Sequence, residues 1–140
     1  MEGAKVGNGL DPETEMGPLA NERRIPAMEA MIADAQSKGA ELVTGGDRIG
    51  NQGYFFQPTV LRNVSPDSVA MNDEPFGPMA LINTFKTYDE AVHEANRLPY
   101  GLAAYAFTSS AETLQKLSRE VESGMLTVNH VGLALPEVPF

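Results

Sequence analysis

The chain has 140 residues, a length that suits one domain whose folding buries about two-thirds of the unfolded surface. Hydrophobic residues make up 42% and charged residues 21%, which is typical of a soluble globular protein. Nineteen acidic and ten basic side chains give a formal net charge of -9, which disfavours nucleic acid and anionic membrane surfaces as partners.

Cysteine is absent, so disulfides, thiolate metal sites and a cysteine nucleophile are excluded from this chain. Its two histidines, His93 and His130, lie far apart and have no partner at metal-ligand spacing, so no metal site is predicted. No apolar run is long enough to cross a bilayer, and the first residues lack the features of a signal peptide. These observations predict a cytoplasmic protein.

The first half of the chain predicts one helix and two strands. Residues 1–18 are rich in glycine and proline, so we expect an irregular lead-in. Apolar residues then recur at helical spacing, which predicts a helix from about Pro26 to Lys38 with Met28 in the core. Glu41 to Thr44 predicts a short strand. Tyr54 to Leu61 is rich in β-formers but interrupted by Pro58, which indicates either an edge strand or a break between two extended pieces.

The segment from Asn72 to Pro78, named here the central loop, is the most constrained stretch of the sequence. Its two prolines fix φ, remove amide donors and push the preceding residues out of the α region. Gly77 has no Cβ and allows either a sharp change of direction or a close approach by another group. The central loop should therefore present the carboxylate of Glu74 and the ring of Phe76 on a stiff backbone. The alternative is an ordinary loop with Glu74 in solvent and Phe76 in the core.

Strands and helices alternate from Met79 onward. The predicted strands are Met79 to Phe85, Leu102 to Phe107 and Met125 to Asn129. Two capping boxes, Thr87 with Glu90 and Ser109 with Glu112, open the helices between them. Short connections and nearly continuous apolar strands indicate a βαβαβ unit, in which helices cover both faces of a parallel open sheet. The predicted fold class is therefore α/β.

The carboxyl ends of the last two strands form a candidate site. Ligands of open parallel sheets bind beyond these ends, which places Thr108, Asn129 and His130 at a functional rim. Asn129 is equally compatible with a polar residue that only ends a strand. His93 fits an exposed helix surface. No glycine-rich dinucleotide fingerprint, Walker pattern or serine hydrolase elbow is present, so this chain does not supply a pyrophosphate site.

Several motifs, in the right order and over nearly the whole chain, resemble the aldehyde dehydrogenase superfamily. They are Val6 to Pro12 with Met16 to Pro18, Gly53 to Leu61, Glu74 to Pro78, Asn96 to Leu102, Ser123 to Asn129 and Pro136 to Phe140. Glu-Pro-Phe-Gly-Pro followed by an apolar strand is similar to the family's Glu-x-Phe-Gly-Pro segment. The overall look is nearest to succinate-semialdehyde dehydrogenases and related enzymes of short-chain aldehydes.

The resemblance implies an oxidoreductase that converts an aldehyde to a carboxylic acid with NAD or NADP. In the family, the glutamate that matches Glu74 holds the nicotinamide-ribose hydroxyls, and the phenylalanine that matches Phe76 packs beside the nicotinamide. A cysteine attacks the aldehyde, and a thioester forms after hydride loss and is then hydrolysed. Because this chain has no cysteine, the nucleophile would lie outside it. Asn129 and His130 would lie near the aldehyde pocket.

The same resemblance implies that residues 1–140 form a single partial domain, an incomplete aldehyde dehydrogenase catalytic-domain fold with residues 131–140 as a truncated tail. The chain alone is expected to be inactive. Its expected partners are a small aldehyde and further copies of itself, joined through sheet edges. The alternative is a non-catalytic interaction or oligomerisation module that uses an exposed sheet edge. The identity of the aldehyde and the choice between NAD and NADP depend mostly on residues outside this segment.

Overall fold

The computed structural model describes residues 3–132, which contain four helices and five strands. In chain order these are α1 (Arg24–Ser37), β1 (Glu41–Thr44), β2 (Thr59–Arg62), α2 (Val69–Asn72), β3 (Met79–Ile82), α3 (Tyr88–Ala95), β4 (Ala103–Ala106), α4 (Ala111–Glu120) and β5 (Met125–Val128). They group into two compact units, the first ending at Thr84 and the second beginning at Phe85. That the whole chain forms a single partial domain stays a prediction, and the motif from Pro136 to Phe140 lies outside the described residues.

The first unit is built on a three-stranded sheet in the order β1-β2-β3. β1 runs antiparallel to β2, and β2 runs parallel to β3 with Thr59 opposite Met79 and Arg62 opposite Ile82. β2 is therefore the central strand of this sheet, so the edge-strand alternative is wrong. The other alternative, a break at Pro58 between two extended pieces, is confirmed, since Phe56 pairs with Arg48 before the proline and β2 begins at Thr59 after it. Pro58 comes just before the first paired residue, where its missing amide breaks no ladder bond.

The core of the first unit lies along one face of α1. Its buried cluster comprises Ile25, Met28, Ile32, Ala35, Ala40, Phe56, Leu61 and Val64. The predicted helical face is confirmed, although α1 begins at Arg24, so that Pro26 falls in the first turn, where a proline does least harm. Gly39 follows the helix with a φ of 94°, and the Ala40 amide donates to the Ala35 carbonyl at 3.0 Å.

The second unit is a parallel βαβ arrangement preceded by α3. β4 and β5 are paired in register from Ala103 with Met125 to Ala106 with Val128, and α4 connects them. None of the described side chains in this unit is fully buried. None of the helices in residues 3–132 has the length and apolar character needed to span a membrane.

The predicted cap at Thr87 is confirmed, although the Glu90 carboxylate accepts from the Lys86 amide and not from the Thr87 amide, and the other cap is displaced by one residue. Thr87 caps α3 by accepting from the Glu90 amide at 3.2 Å. At α4, however, the cap is Ser110, whose hydroxyl accepts from the Thr113 amide at 3.1 Å. Because α4 begins at Ala111, Ser109 lies one residue too early to reach an amide of the first turn.

The α/β class is confirmed, with helices and a parallel βαβ unit. The prediction of one continuous βαβαβ sheet is wrong for the described residues. β3 pairs with β2 in one sheet, and β4 pairs with β5 in another. Pairing between strands is a long-range choice that the alternation of local elements does not determine.

Candidate functional site

The central loop connects α2 to β3 and carries the most exposed aromatic ring of its unit. Phe76 has a φ of 41°, in the left-handed region that bulky side chains rarely adopt. Its side chain is 71% exposed, and the neighbouring Glu74 is exposed as well. The structure thus overturns the alternative in which Phe76 lies in the core. Both the carboxylate and the aromatic ring of this loop are exposed.

Contacts with α1 and β2 restrain the backbone of the central loop. The guanidinium of Arg24 donates a hydrogen bond from Nη2 to the Pro75 carbonyl. Gly77 lies directly against the buried side chain of Met28, and a Cβ at this glycine would overlap the thioether. Of the two roles expected of Gly77, the close approach by another group is therefore confirmed. The Thr59 amide donates at 2.7 Å to the carbonyl of the last residue of the loop.

Two exposed side chains of the central loop, Glu74 and Phe76, can bind a ligand by different contacts. The two oxygens of the Glu74 carboxylate are acceptors that can take hydrogen bonds from two adjacent hydroxyl groups. The exposed ring of Phe76 offers a flat apolar surface on which a heterocycle can pack. Because the backbone beneath both side chains is fixed in advance, less conformational entropy is lost when a ligand binds.

The predicted rim of the second unit is held together by Asn129. Its Oδ1 accepts from the Thr108 amide and its Nδ2 donates to the Thr108 carbonyl, both at 2.9 Å. The Asn129 backbone amide donates to Ala106 at 2.8 Å, and its φ is 57°. The side chain thus extends the β4–β5 pairing by one step. This contact favours a structural role for Asn129, whose place in an aldehyde pocket stays a prediction.

His130 follows directly and is exposed. Its Nδ1 accepts a hydrogen bond from the Gly132 amide at 2.9 Å, so the ring folds over the turn that follows β5. Its role in substrate binding likewise stays a prediction. The structure places Glu74 and Phe76 in the first unit, and Asn129 and His130 in the second.

A cavity of about 520 Å³ lies in the second unit between its two helices and its sheet. Its lining is mainly apolar and includes Phe85, Ala91, Val92, Ala104, Leu117 and Leu126. Burial, followed by the neighbouring Glu120 carboxylate, raises the pKa of Tyr88 in this lining to about 12. The raised pKa keeps the phenol protonated at physiological pH. No group of three His, Asp or Glu side chains in residues 3–132 could hold a metal ion.

Sequence reasoning found the exposed side chains of the central loop but not the residues that hold it. The helical pattern predicts Met28 in the core, which the structure confirms, whereas no pattern in the sequence predicts a role for Arg24. The hydrogen bond from Arg24 spans 51 positions of sequence, so no local pattern could have indicated it.

Comparison with known proteins identifies the family. The model of the aldehyde dehydrogenase family matches residues 1–140. A 4-(hydroxymethyl)benzenesulfonate dehydrogenase of Comamonas testosteroni is 43% identical over 136 residues, which are 97% of this chain and 28% of the relative. The NADP(+) succinate-semialdehyde dehydrogenase of Deinococcus radiodurans is 39% identical over 134 residues, which are 96% of this chain and 28% of that protein.

Solved structures of aldehyde dehydrogenases are also similar to this chain. Succinate-semialdehyde dehydrogenase from Burkholderia pseudomallei superposes with a TM-score of 0.91 at 39% identity, covering 97% of this chain and 28% of its own. A 3,6-anhydro-L-galactose dehydrogenase in complex with NAP superposes with a TM-score of 0.90 at 36% identity, covering 96% of this chain and 29% of its own. The chain belongs to the aldehyde dehydrogenase family. It spans about 28% of the length of the curated relatives it matches.

Proposed function

We propose that this chain is the C-terminal part of the catalytic domain of an NAD(P)-dependent aldehyde dehydrogenase, and that the central loop binds the nicotinamide end of the cofactor. The observation that carries the proposal is that Glu74 and Phe76 are both exposed on a loop whose backbone is held by a hydrogen bond from Arg24 of α1. The family membership supports it, as do relatives whose names or structures include NADP(+) or NAP.

The residues present fit the nicotinamide end of such a cofactor. The Glu74 carboxylate would accept hydrogen bonds from the ribose hydroxyls, and the Phe76 ring would pack beside the nicotinamide. When bound, the cofactor supplies a hydride acceptor. The chain itself contributes orientation, because both contacts come from a stiff backbone. It contributes no thiol, so the nucleophile that attacks the aldehyde comes from residues outside these 140.

The proposed substrate is a short-chain aldehyde of the succinate-semialdehyde type, since relatives with that name match almost the whole chain. Asn129 and His130 would lie near its pocket, with Asn129 fixing the end of β5 that precedes His130. We further propose a cytoplasmic homo-oligomer joined through sheet edges, with neither nucleic acid nor membrane as partner.

Glu74→Gln in the full-length protein tests the role of the central loop. We expect the KM for NAD(P)+ to rise, with kcat changed much less. A hydrogen bond to a charged group contributes about 1.5–3 kcal/mol, so kcat/KM for the cofactor should fall about 10- to 100-fold. Asp73→Asn, which neutralises the adjacent exposed carboxylate, is the matched control. Equal effects of the two variants, or none, would refute cofactor binding by Glu74.

The isolated chain gives a second test, since it contains no nucleophilic thiol. The purified 140-residue protein should oxidise no aldehyde in an assay of NAD(P)H formation. Activity that persists after contaminating full-length enzyme is removed would contradict the proposal. A defined dimer in sedimentation, with no effect of Glu74→Gln on the full-length enzyme, would instead favour the interaction module.

A further inference from the structure

We propose that Arg24 and Met28 of α1 are positioning residues that set cofactor affinity by fixing the backbone of the central loop. The inference rests on the proposed function of that loop. Neither residue needs to touch the cofactor. Each acts through a backbone contact on one side of Phe76, the residue with a φ of 41°.

Arg24 fixes the side that precedes Phe76. Its guanidinium donates to the carbonyl of Pro75, which belongs to the peptide group between Pro75 and Phe76. Holding this carbonyl restrains the ψ of Pro75 and the φ of Phe76, so the ring keeps its outward direction. A bond from a charged donor is stronger than a neutral one, which suits it to holding backbone that would otherwise relax.

The surroundings of Arg24 point to this role and not to ion pairing. Arg24 is half-buried, whereas the adjacent Arg23 is exposed. No ion pair involving Arg24 occurs within the described part of the chain, and its Nε is buried there without a hydrogen-bond partner. A guanidinium held in this environment gains its main polar contact from the Pro75 carbonyl.

Met28 fixes the side that follows Phe76. Its side chain is 0% exposed and fills the space where a Cβ at Gly77 would lie. Arg24 and Met28 are four positions apart on α1, so both project from the same face of the helix. One helix face thus supports the loop before and after its exposed ring.

The first experiment measures cofactor kinetics of the full-length protein with Arg24→Ala, Arg24→Lys and the control Arg23→Ala. Arg24→Ala should raise the KM for NAD(P)+ about tenfold, equivalent to about 1.4 kcal/mol, with little change in kcat. Arg24→Lys should restore part of the affinity, because an ammonium can still donate one hydrogen bond. Arg23→Ala should leave both constants unchanged.

The second experiment measures amide hydrogen exchange of the cofactor-free full-length protein. Arg24→Ala should speed exchange in residues 73–79 without affecting the middle of α1, a readout that does not depend on cofactor binding. A Met28→Leu variant, compared with Met31→Leu at another buried position of the same helix, should also loosen this segment. The leucine is branched where Gly77 leaves room for an unbranched thioether.

The outcomes separate the two proposals. If Glu74→Gln raises the cofactor KM but Arg24→Ala changes neither KM nor exchange, the positioning role is overturned. The same holds if Arg24→Ala speeds exchange while KM stays at its wild-type value. If Glu74→Gln has no effect but Arg24→Ala speeds exchange, the proposed function fails, and the restraint of the loop by Arg24 stands as a structural property alone.

Discussion

At the residue scale, Phe76 has a strained backbone conformation that a neighbouring hydrogen bond can offset. A left-handed backbone costs a non-glycine residue about 1–2 kcal/mol. A hydrogen bond from a charged donor contributes about 1.5–3 kcal/mol, so the bond from Arg24 to Pro75 is of the right size to offset the strain. The exposed position of the ring recovers little hydrophobic free energy in return, since the side chain is 71% exposed. This strain is consistent with a site that binds a ligand.

Gly77→Ala should lower the stability of the first unit, because the central loop packs closely against α1. The added methyl group would overlap the Met28 thioether, and overpacking of this kind costs about 1–3 kcal/mol. Urea unfolding of the 140-residue chain should therefore show a lower midpoint with an unchanged slope. Gly9→Ala, which adds a methyl group in open space, should stay close to wild type. Equal midpoints for the two variants would contradict the observed packing.

The Asp34 carboxyl should make the free energy of unfolding depend on pH. A hydrogen bond from Lys38 and one from the Val69 amide lower the pKa of the Asp34 carboxyl below its ordinary value of 3.8. The folded state therefore favours the ionised form, and this stabilisation, present at neutral pH, is lost as pH falls from the ordinary pKa through the lowered one.

Urea midpoints measured from roughly pH 6 to pH 2 test this. Asp34→Asn should lower the midpoint at neutral pH and flatten the acid limb of the profile. Asp67→Asn, at an exposed carboxylate outside this pair of contacts, should leave the limb in place. A profile for Asp34→Asn as steep as that of the wild type would contradict the assignment.

At the scale of elements, α4 shows how small the gap between sequence and structure can be. Ser109 and Ser110 are adjacent, and Ser109 with Glu112 matches the capping-box spacing. The structure uses Ser110, which accepts from Thr113 at 3.1 Å. Ser110→Ala should therefore cost about 1 kcal/mol, whereas Ser109→Ala should cost close to nothing. Thermal unfolding of both variants followed by circular dichroism decides between them, and a larger loss for Ser109→Ala would reverse the assignment.

Elements whose limits depend on local chemistry were predictable from the sequence. Glu41 to Thr44 and the apolar face of α1 agree with the structure. The four-residue helix α2 was missed, because its first amide is held by Asp34 from another part of the chain at 2.7 Å. The partner of β3 was missed for the same reason, since strand pairing joins distant segments. Among site residues, Glu74 and Phe76 were visible through local proline and glycine chemistry, whereas Arg24 was not.

On the scale of the whole molecule, burial is unevenly distributed. All the fully buried side chains in residues 3–132 lie between Ile25 and Ala70, and the second unit contains a mainly apolar cavity of about 520 Å³. Since buried apolar area is the main source of stability, the two units should differ in resistance to opening. Native-state hydrogen exchange should find stronger protection of amides in α1 and β2 than in α3 and α4. Equal protection would contradict this distribution.

Phe76 also has a consequence for protein engineering. Asparagine and glycine adopt its backbone conformation with less strain, and the ring contributes little to packing. A laboratory selection for heat tolerance alone should therefore tend to discard this aromatic side chain early, and the selected variants should survive heating while losing the proposed cofactor binding. A selection that also demands cofactor binding should keep it.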